Sequence, residues 1–347
     1  VEQDHKSRLL DAPPLVLFAE EAAGSATPFP SSPAEAAARA ATRDRTFPPF
    51  HIDGFRRARP VLKVQDGCDY KCAYCTIHYA RGGSRNMPVA DLVAEAERIA
   101  AGGRREIVLT GINTGDFGKT TGERFVDLLR ALDGVRGIDR YRISSIEPNL
   151  LSDEVIAFTA ASEKFQPHFH IPIQSGCDRI LRLMRRRYNT TKFAERIEAV
   201  RRAMPDAFLG IDVIVGFPGE TDDDFARTYD FLERIEPAFL HVFPYSVRPG
   251  TPAADLPGRV PAPVIERRAA ALGELCDRLH RAFCRSHDGR TASVLWESTR
   301  RDGRMFGYTE NYIKVRAPFD CDRVNTIAPV ILRASDEGAA MDATFLA

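Results

Sequence analysis

Short β-rich runs alternate with helical stretches from residue 61 to about residue 287, and this alternation restricts the chain to folds built from βα units. The runs are 61–64, 106–109, 141–143, 168–171, 209–215 and 239–243. The first helix between them carries clear signals. Pro88 suits a first helical turn, Leu92, Ala96 and Ile99 recur at helical spacing, and Gly102-Gly103 stops the run. Further helices are predicted at about 124–133, 152–163, 178–203, 222–235 and 261–287. Six strands alternating with six helices make a parallel sheet with right-handed crossovers, either doubly wound or curled into a barrel. The pattern by itself does not choose.

Both ends of the chain read differently. Residues 1–58 offer one strand-like run, Leu15-Val16-Leu17-Phe18, followed by a loose connector from Gly24 to Arg45 rich in Ala, Ser and Pro. The opening Val suggests that the true start lies upstream. After Gly289 the apolar alternation of Arg290 to Glu297, a turn at Gly303, and Gly307 to Val315 predict a small antiparallel barrel. Three regions follow: 1–58, 59–288 and 289–347.

Bulk properties narrow the function. Acidic and basic residues balance at 48 each, so no global field draws in nucleic acid, and any RNA attraction must be local. No apolar run is long enough to span a bilayer and no signal-like segment opens the chain, so no membrane partner is expected. Seven cysteines, three of them tightly clustered, argue against a disulfide framework and for a reducing cytoplasm.

That cluster is Cys68, Cys72 and Cys75, in Gln65-Asp66-Gly67-Cys68-Asp69-Tyr70-Lys71-Cys72-Ala73-Tyr74-Cys75 directly after the first strand run. Three thiolates on one loop can hold three corners of a [4Fe-4S] cluster and leave the fourth iron open to a substrate. A structural zinc site needs a fourth Cys or His, and the one neighbour, His78, follows Cys75 too closely for the usual second pair. Cys177, Cys276, Cys284 and Cys321 are scattered and read as packing residues.

This loop resembles that of radical S-adenosylmethionine (SAM) enzymes. Its continuation, Thr76-Ile77-His78-Tyr79-Ala80-Arg81-Gly82-Gly83-Ser84-Arg85, is similar to the methylthiotransferase family. Further matches are Leu109 to Asn113, Arg142 to Pro148, His170 to Gly176, Asp212 to Thr221 and His241 to Ser246. The resemblance covers about residues 45–335. It departs at His78, where the family usually has proline. It implies an α/β fold, a partial (β/α)6 radical SAM barrel followed by a TRAM-like β-barrel that binds RNA. It also implies a [4Fe-4S] cluster on Cys68, Cys72 and Cys75, with SAM on the open iron cleaved reductively to methionine and a 5′-deoxyadenosyl radical.

The activity implied is conversion of N6-threonylcarbamoyladenosine, in the tRNA anticodon loop, to its 2-methylthio form, with electrons from a flavodoxin- or ferredoxin-like donor. Isopentenyl-adenosine tRNA, a ribosomal-protein aspartate, or a non-catalytic tRNA-binding scaffold are the alternatives. Family members hold a second [4Fe-4S] cluster on three cysteines of an N-terminal domain. Residues 1–67 contain no cysteine, so the chain is expected to lack that sulfur-delivering half.

The candidate SAM contacts are Tyr74, between two ligands, and polar residues at strand ends, where barrels place their chemistry. These are Thr110, Gly111 and Asn113 after the second run, Ser145 and Glu147 after the third, and Gln174 after the fourth. Asp212 lies inside an apolar strand, so it is expected either to pair with an arginine or to face the barrel interior. Gly216 to Thr221 lacks the Gly-Lys-Ser/Thr ending of a phosphate loop, and Thr221 is read as a helix cap. Arg185, Arg186 and Arg187, with Tyr312 and Lys314 in the tail, are the candidate RNA contacts.

Overall fold

The structure, a computed structural model, describes residues 58–335 and 340–346. The expected strand at Leu15–Phe18 and the connector after it lie outside the described residues. Strand β1 (Val61–Lys63) runs into a short antiparallel pair, β2 (Gln65–Asp66) and β3 (Arg85–Asn86), which brackets the cysteine loop. The loop is followed by a short helix, α1 (Ile77–Arg81), and then by α2 (Val89–Ala101). The order continues as β4 (Glu106–Thr110), α3 (Phe125–Asp133), β5 (Arg140–Ile143), α4 (Asp153–Ala161) and β6 (His168–His170). Helices α5 (Asp178–Leu183) and α6 (Thr190–Ala203), β7 (Phe208–Val215), α7 (Asp222–Ile235), β8 (Phe239–Pro244) and α8 (Ala262–Arg285) complete the larger unit.

All pairings among its six main strands are parallel, in two sheets, β1-β4-β5 and β6-β7-β8. A parallel bridge between Ser145 and His170 joins them, so the strands curl in chain order into a partial barrel. Strand β7 shows what each face does. Leu209, Ile211, Val213 and Val215 point outward into one core with Phe193, Ile197 and Val200 of α6 and Phe231 and Leu232 of α7. Each such side chain contributes about 1.5–3 kcal/mol when buried. The alternate residues point inward at three levels. Phe208 packs with Tyr308 and Tyr312 at the amino ends of the strands. Asp212 meets His170 in the middle. Ile214 packs with Ala73, Tyr74 and Phe217 beside the cysteine loop.

The second unit is a closed barrel of β9 (Thr291–Arg301), β10 (Arg304–Thr309), β11 (Lys314–Pro318), β12 (Ile327–Arg333) and β13 (Met341–Phe345), ordered β10-β11-β13-β12-β9. Asp302 and Gly303, both at positive φ, make the tight turn between β9 and β10, as two-residue hairpins require. The β11–β13 pairing is parallel and the others are antiparallel. This barrel docks on the amino ends of the larger unit's strands. Arg140 donates to Ser293 O at 2.7 Å, and Arg142 to Thr309 O at 2.7 Å and Glu310 O at 2.9 Å. Arg59 reaches Glu297 at 2.9 Å. The docking face is therefore at the opposite end from the cysteine loop.

Two expectations change. The single helix predicted over 178–203 is two, because Arg185 sits at positive φ and Asn189 caps a new helix, its side chain accepting from Lys192 N. Cys321, expected to be packed, is exposed. The Thr221 cap is present as a reciprocal box with Asp224 at the start of α7.

Candidate active site

The cysteine loop begins where β1 and β2 end, and glycine is required at its first position. Gly67 has φ +71°, and a Cβ there would lie 2.1 Å from Gly83 O. Asp66, with its side chain 3% exposed, anchors the base. It pairs with Lys63 at 3.4 Å, Arg81 at 3.0 Å and Arg85 at 2.6 Å. The two arginines flanking Gly82-Gly83-Ser84 are thus turned onto one buried carboxylate. Cys68 N donates to Gly82 O at 3.1 Å, and Ser84 N to Asp69 Oδ1 at 3.0 Å, closing the loop on itself. Arg187 stacks over the Tyr70 ring at 4.1 Å and donates to Asp69 O at 2.9 Å.

Each of the three sulfurs accepts one hydrogen bond. Tyr70 N donates to Cys68 Sγ at 3.4 Å, Ile77 N to Cys75 Sγ at 3.4 Å, and Arg186 Nη1 to Cys72 Sγ at 2.9 Å. Burial pushes the Cys68 thiol up to about 12 and raises Cys72 and Cys75 as well. These are therefore not free nucleophiles, and a metal that binds them must displace their protons. Among the described residues, the metal-capable groups whose ligand atoms all lie within 4.8 Å of one another are His170-Asp212-His241 and Asp320-Cys321-Asp322. The cysteine trio is not so tightly gathered. One tetrahedral zinc with bonds of about 2.3 Å would draw three sulfurs within about 4 Å of one another. A wider trio with a donor on every sulfur suits a cluster, whose potential depends on hydrogen bonds to its ligands.

The break between α5 and α6 delivers the residue that organises this site. Arg186, its side chain 2% exposed, pairs with Glu147, donates to Cys72 Sγ and to Tyr74 OH at 3.3 Å, and from Nε to Tyr188 OH at 2.9 Å. The Tyr188 hydroxyl in turn donates to Pro172 O at 2.6 Å. Burial raises the Glu147 carboxyl while Arg186 pulls it down, and the guanidinium stays charged. Arg186 was expected to contact RNA. The structure corrects this, because a positive φ at Arg185 turns the next side chain inward. Tyr312 is corrected too. It is buried between the two barrels, stacked on Tyr308 at 4.8 Å and tilted against the His168 ring at 4.3 Å. Arg185 and Arg187 remain exposed, while Lys314 is half-buried over the Phe306 ring.

The predicted strand-end residues gather around the same mouth. Gly111 approaches Gln65 closely, and a Cβ there would lie 2.9 Å from Gln65 Oε1. That oxygen accepts from Ile112 N at 2.9 Å and Asn113 N at 3.0 Å, while Gln65 Nε2 donates to Gly67 O and Ser84 Oγ. Gln65 thereby locks the loop after β4 to the cysteine loop. Sequence reasoning did not single it out, although its place just before the motif was the available signal. Thr110 closes β4 with its carbonyl accepting from Val64 N. Asn113 accepts from Glu147 N at 3.4 Å, while its buried Nδ2 has no partner among the described residues. Ser145 bridges to β6, and Gln174, at φ +70°, bridges to Val213. Asp212 faces the interior, paired with His170 at 2.6 Å rather than with an arginine. Burial raises its carboxyl, but His170 outweighs this and holds it low. Burial lowers His170, and Asp212 outweighs that in turn. Burial and the neighbouring His170 take His241 down to about 4, so it is neutral.

The barrel, the loop geometry and the three hydrogen-bonded sulfurs define a protein of the radical SAM superfamily. The family model of that name matches residues 62–232, and the chain belongs to this superfamily. It is 39% identical over 285 residues to threonylcarbamoyladenosine tRNA methylthiotransferase MtaB of Bacillus subtilis, covering 80% of this chain and 63% of that protein. To MtaB of Thermotoga maritima it is 38% identical, covering 74% and 60%. To tRNA-2-methylthio-N(6)-dimethylallyladenosine synthase of Thermobifida fusca it is 41% identical, covering 67% and 48%. The chain thus spans about three fifths of the MtaB relatives' length. Superfamily members use a [4Fe-4S] cluster and SAM. The residues here fit both, with three wide-set, hydrogen-bonded thiols for the cluster and the orphaned buried amide of Asn113 at the mouth for a polar ligand.

Proposed function

We propose that this chain is the radical SAM portion of a tRNA methylthiotransferase that acts at C2 of N6-threonylcarbamoyladenosine. Arg186 carries the catalytic part of this reading, because it ties a cluster sulfur, Tyr74 and Glu147 into one charged unit at the barrel mouth. Cys68, Cys72 and Cys75 would hold the cluster. When bound, cluster and SAM supply a one-electron reductive cleavage of the sulfonium, which is chemistry the protein positions rather than performs.

The side chains do the positioning. Gly111 lets the backbone near the mouth come close to a ligand, and Asn113 Nδ2 offers a donor to a SAM carboxylate or ribose oxygen. Glu147, anchored by Arg186, is the matching acceptor for an ammonium. Tyr74 and Phe217, edge to face at 6.4 Å, form an apolar wall that excludes water. Arg185 and Arg187 lie exposed beside this mouth, where the phosphates of an anticodon loop would be drawn and released as salt rises. The substrate assignment rests on the MtaB relatives; the dimethylallyladenosine synthase at 41% identity supports a second reading, isopentenyl-adenosine tRNA.

The test is hydrogen transfer. The reconstituted chain is given SAM, reductant and tRNA deuterated at C2 of the hypermodified adenosine. Deuterium in the 5′-deoxyadenosine from threonylcarbamoyl tRNA, but not from isopentenyl tRNA, is the expected result. Label arriving from isopentenyl tRNA instead selects the second reading, and label from neither contradicts both.

A further inference from the structure

We propose that His170, Asp212 and His241 form a second metal site, in the middle layer of the larger barrel, for a divalent transition ion such as Zn2+ or Fe2+. Three adjacent parallel strands contribute one ligand each: β6, β7 and β8. Register sets Asp212 opposite His241 and puts His170 opposite Gly210, the next residue back on the same inward face of β7. Their ligand atoms all lie within 4.8 Å of one another. None of the three is among the cluster cysteines.

Three observations favour an ion over a packed polar layer. His241, 8% exposed, makes no side-chain hydrogen bond among the described residues and meets its neighbours through ring contacts, to His170 at 5.2 Å and Phe239 at 4.9 Å. A neutral imidazole whose nitrogens are not already engaged is available as a metal ligand. Gly210 lies between the two imidazoles, a Cβ placed on it being in ordinary contact with both His170 and His241 at 3.8 Å. Asp212 supplies the one negative charge that offsets part of a divalent ion's charge, and its present hydrogen bond from His170 Nε2 shows the two side chains already aimed at each other.

Two imidazoles and one carboxylate on one face, with the remaining positions open, is the arrangement that binds Fe2+, Zn2+ or Co2+. Two nitrogen ligands disfavour the hard ions Mg2+ and Ca2+. Binding would replace the proton shared by His170 and Asp212 with the ion. The open positions would face a ligand entering the barrel, for which an oxygen, nitrogen or sulfur donor fits.

The chain with its cluster in place is equilibrated with Zn2+, desalted, and measured for iron, zinc and zinc K-edge X-ray absorption. The expected result is one zinc per chain beside the cluster iron. Its shell should hold nitrogen and oxygen at about 2.0–2.1 Å and no sulfur at about 2.3 Å. Asp212→Asn and His241→Gln should each weaken zinc binding by more than about tenfold while cluster iron is kept. Wild-type protein with a full cluster and no zinc overturns the proposal without reference to either variant. A sulfur-containing zinc shell, or zinc retained in both variants, overturns it equally.

Discussion

Arg186 bears more than any other side chain outside the cysteines. Replacing it with methionine leaves Glu147 buried without its partner, and breaking a buried pair in this way costs about 3–5 kcal/mol. Chemical denaturation of the cluster-free chain should show that loss. The same variant removes a positive donor from Cys72 Sγ, so the cluster potential should fall in a redox titration followed by electron paramagnetic resonance. Gly67→Ala is a sharper lesion. The left-handed backbone and the 2.1 Å approach to Gly83 O leave no room for a methyl group, so iron loading should collapse while the helices keep their circular dichroism. Both cases show what composition hides. Arg185-Arg186-Arg187 reads as one basic run, but a single positive φ sends its middle member inward and leaves the outer two in solvent.

At the level of elements, the β2–β3 clamp around the cysteine loop depends on Asp66. Burial opposes its charge, yet Lys63, Arg81 and Arg85 outweigh burial and hold the carboxyl below the usual carboxylate range. A depressed folded-state value means the stabilisation is fully present above an unfolded value of about 3.9 and is lost as pH falls through the folded one. The stability gap between wild type and Asp66→Asn should therefore be wide at neutral pH and narrow below about pH 4, as urea melts across that range would reveal. The strands themselves were legible from their apolar runs, and α2 from Pro88, its helical spacing and Gly102-Gly103. The break at Arg185 was not, because the apolar spacing of Ile180, Leu181, Met184 and Tyr188 continues across it as one helical face. Asn189 before Thr190-Thr191 was the only local sign of a new start. Gln65 also escaped notice, since three of its side chain's five hydrogen-bond partners, Ser84, Ile112 and Asn113, lie 19 to 48 residues away.

For the whole molecule, alternation of strand and helix predicted βα units, the family resemblance selected the partial barrel, and the structure adds where the second barrel sits. It covers the amino ends of the strands through Arg59, Arg140 and Arg142, with Glu106 fully buried beneath them. Tyr312 serves this junction, which no reading of the tail alone discloses, because its partners come from the other unit. Arg142→Ala should leave buried Glu106 with only the longer pair to Arg140 at 3.8 Å, cost up to about 3–5 kcal/mol, and render the linker near Gly289 sensitive to limited proteolysis. The cysteine spacing, by contrast, announced its chemistry directly, because all three ligands lie within one local loop. The most direct check on that chemistry is the electron paramagnetic resonance spectrum of the reduced, reconstituted chain with and without SAM. Three protein thiolates and one open iron predict a cluster signal whose g values shift when SAM is added. A full cluster whose spectrum ignores saturating SAM would contradict the account.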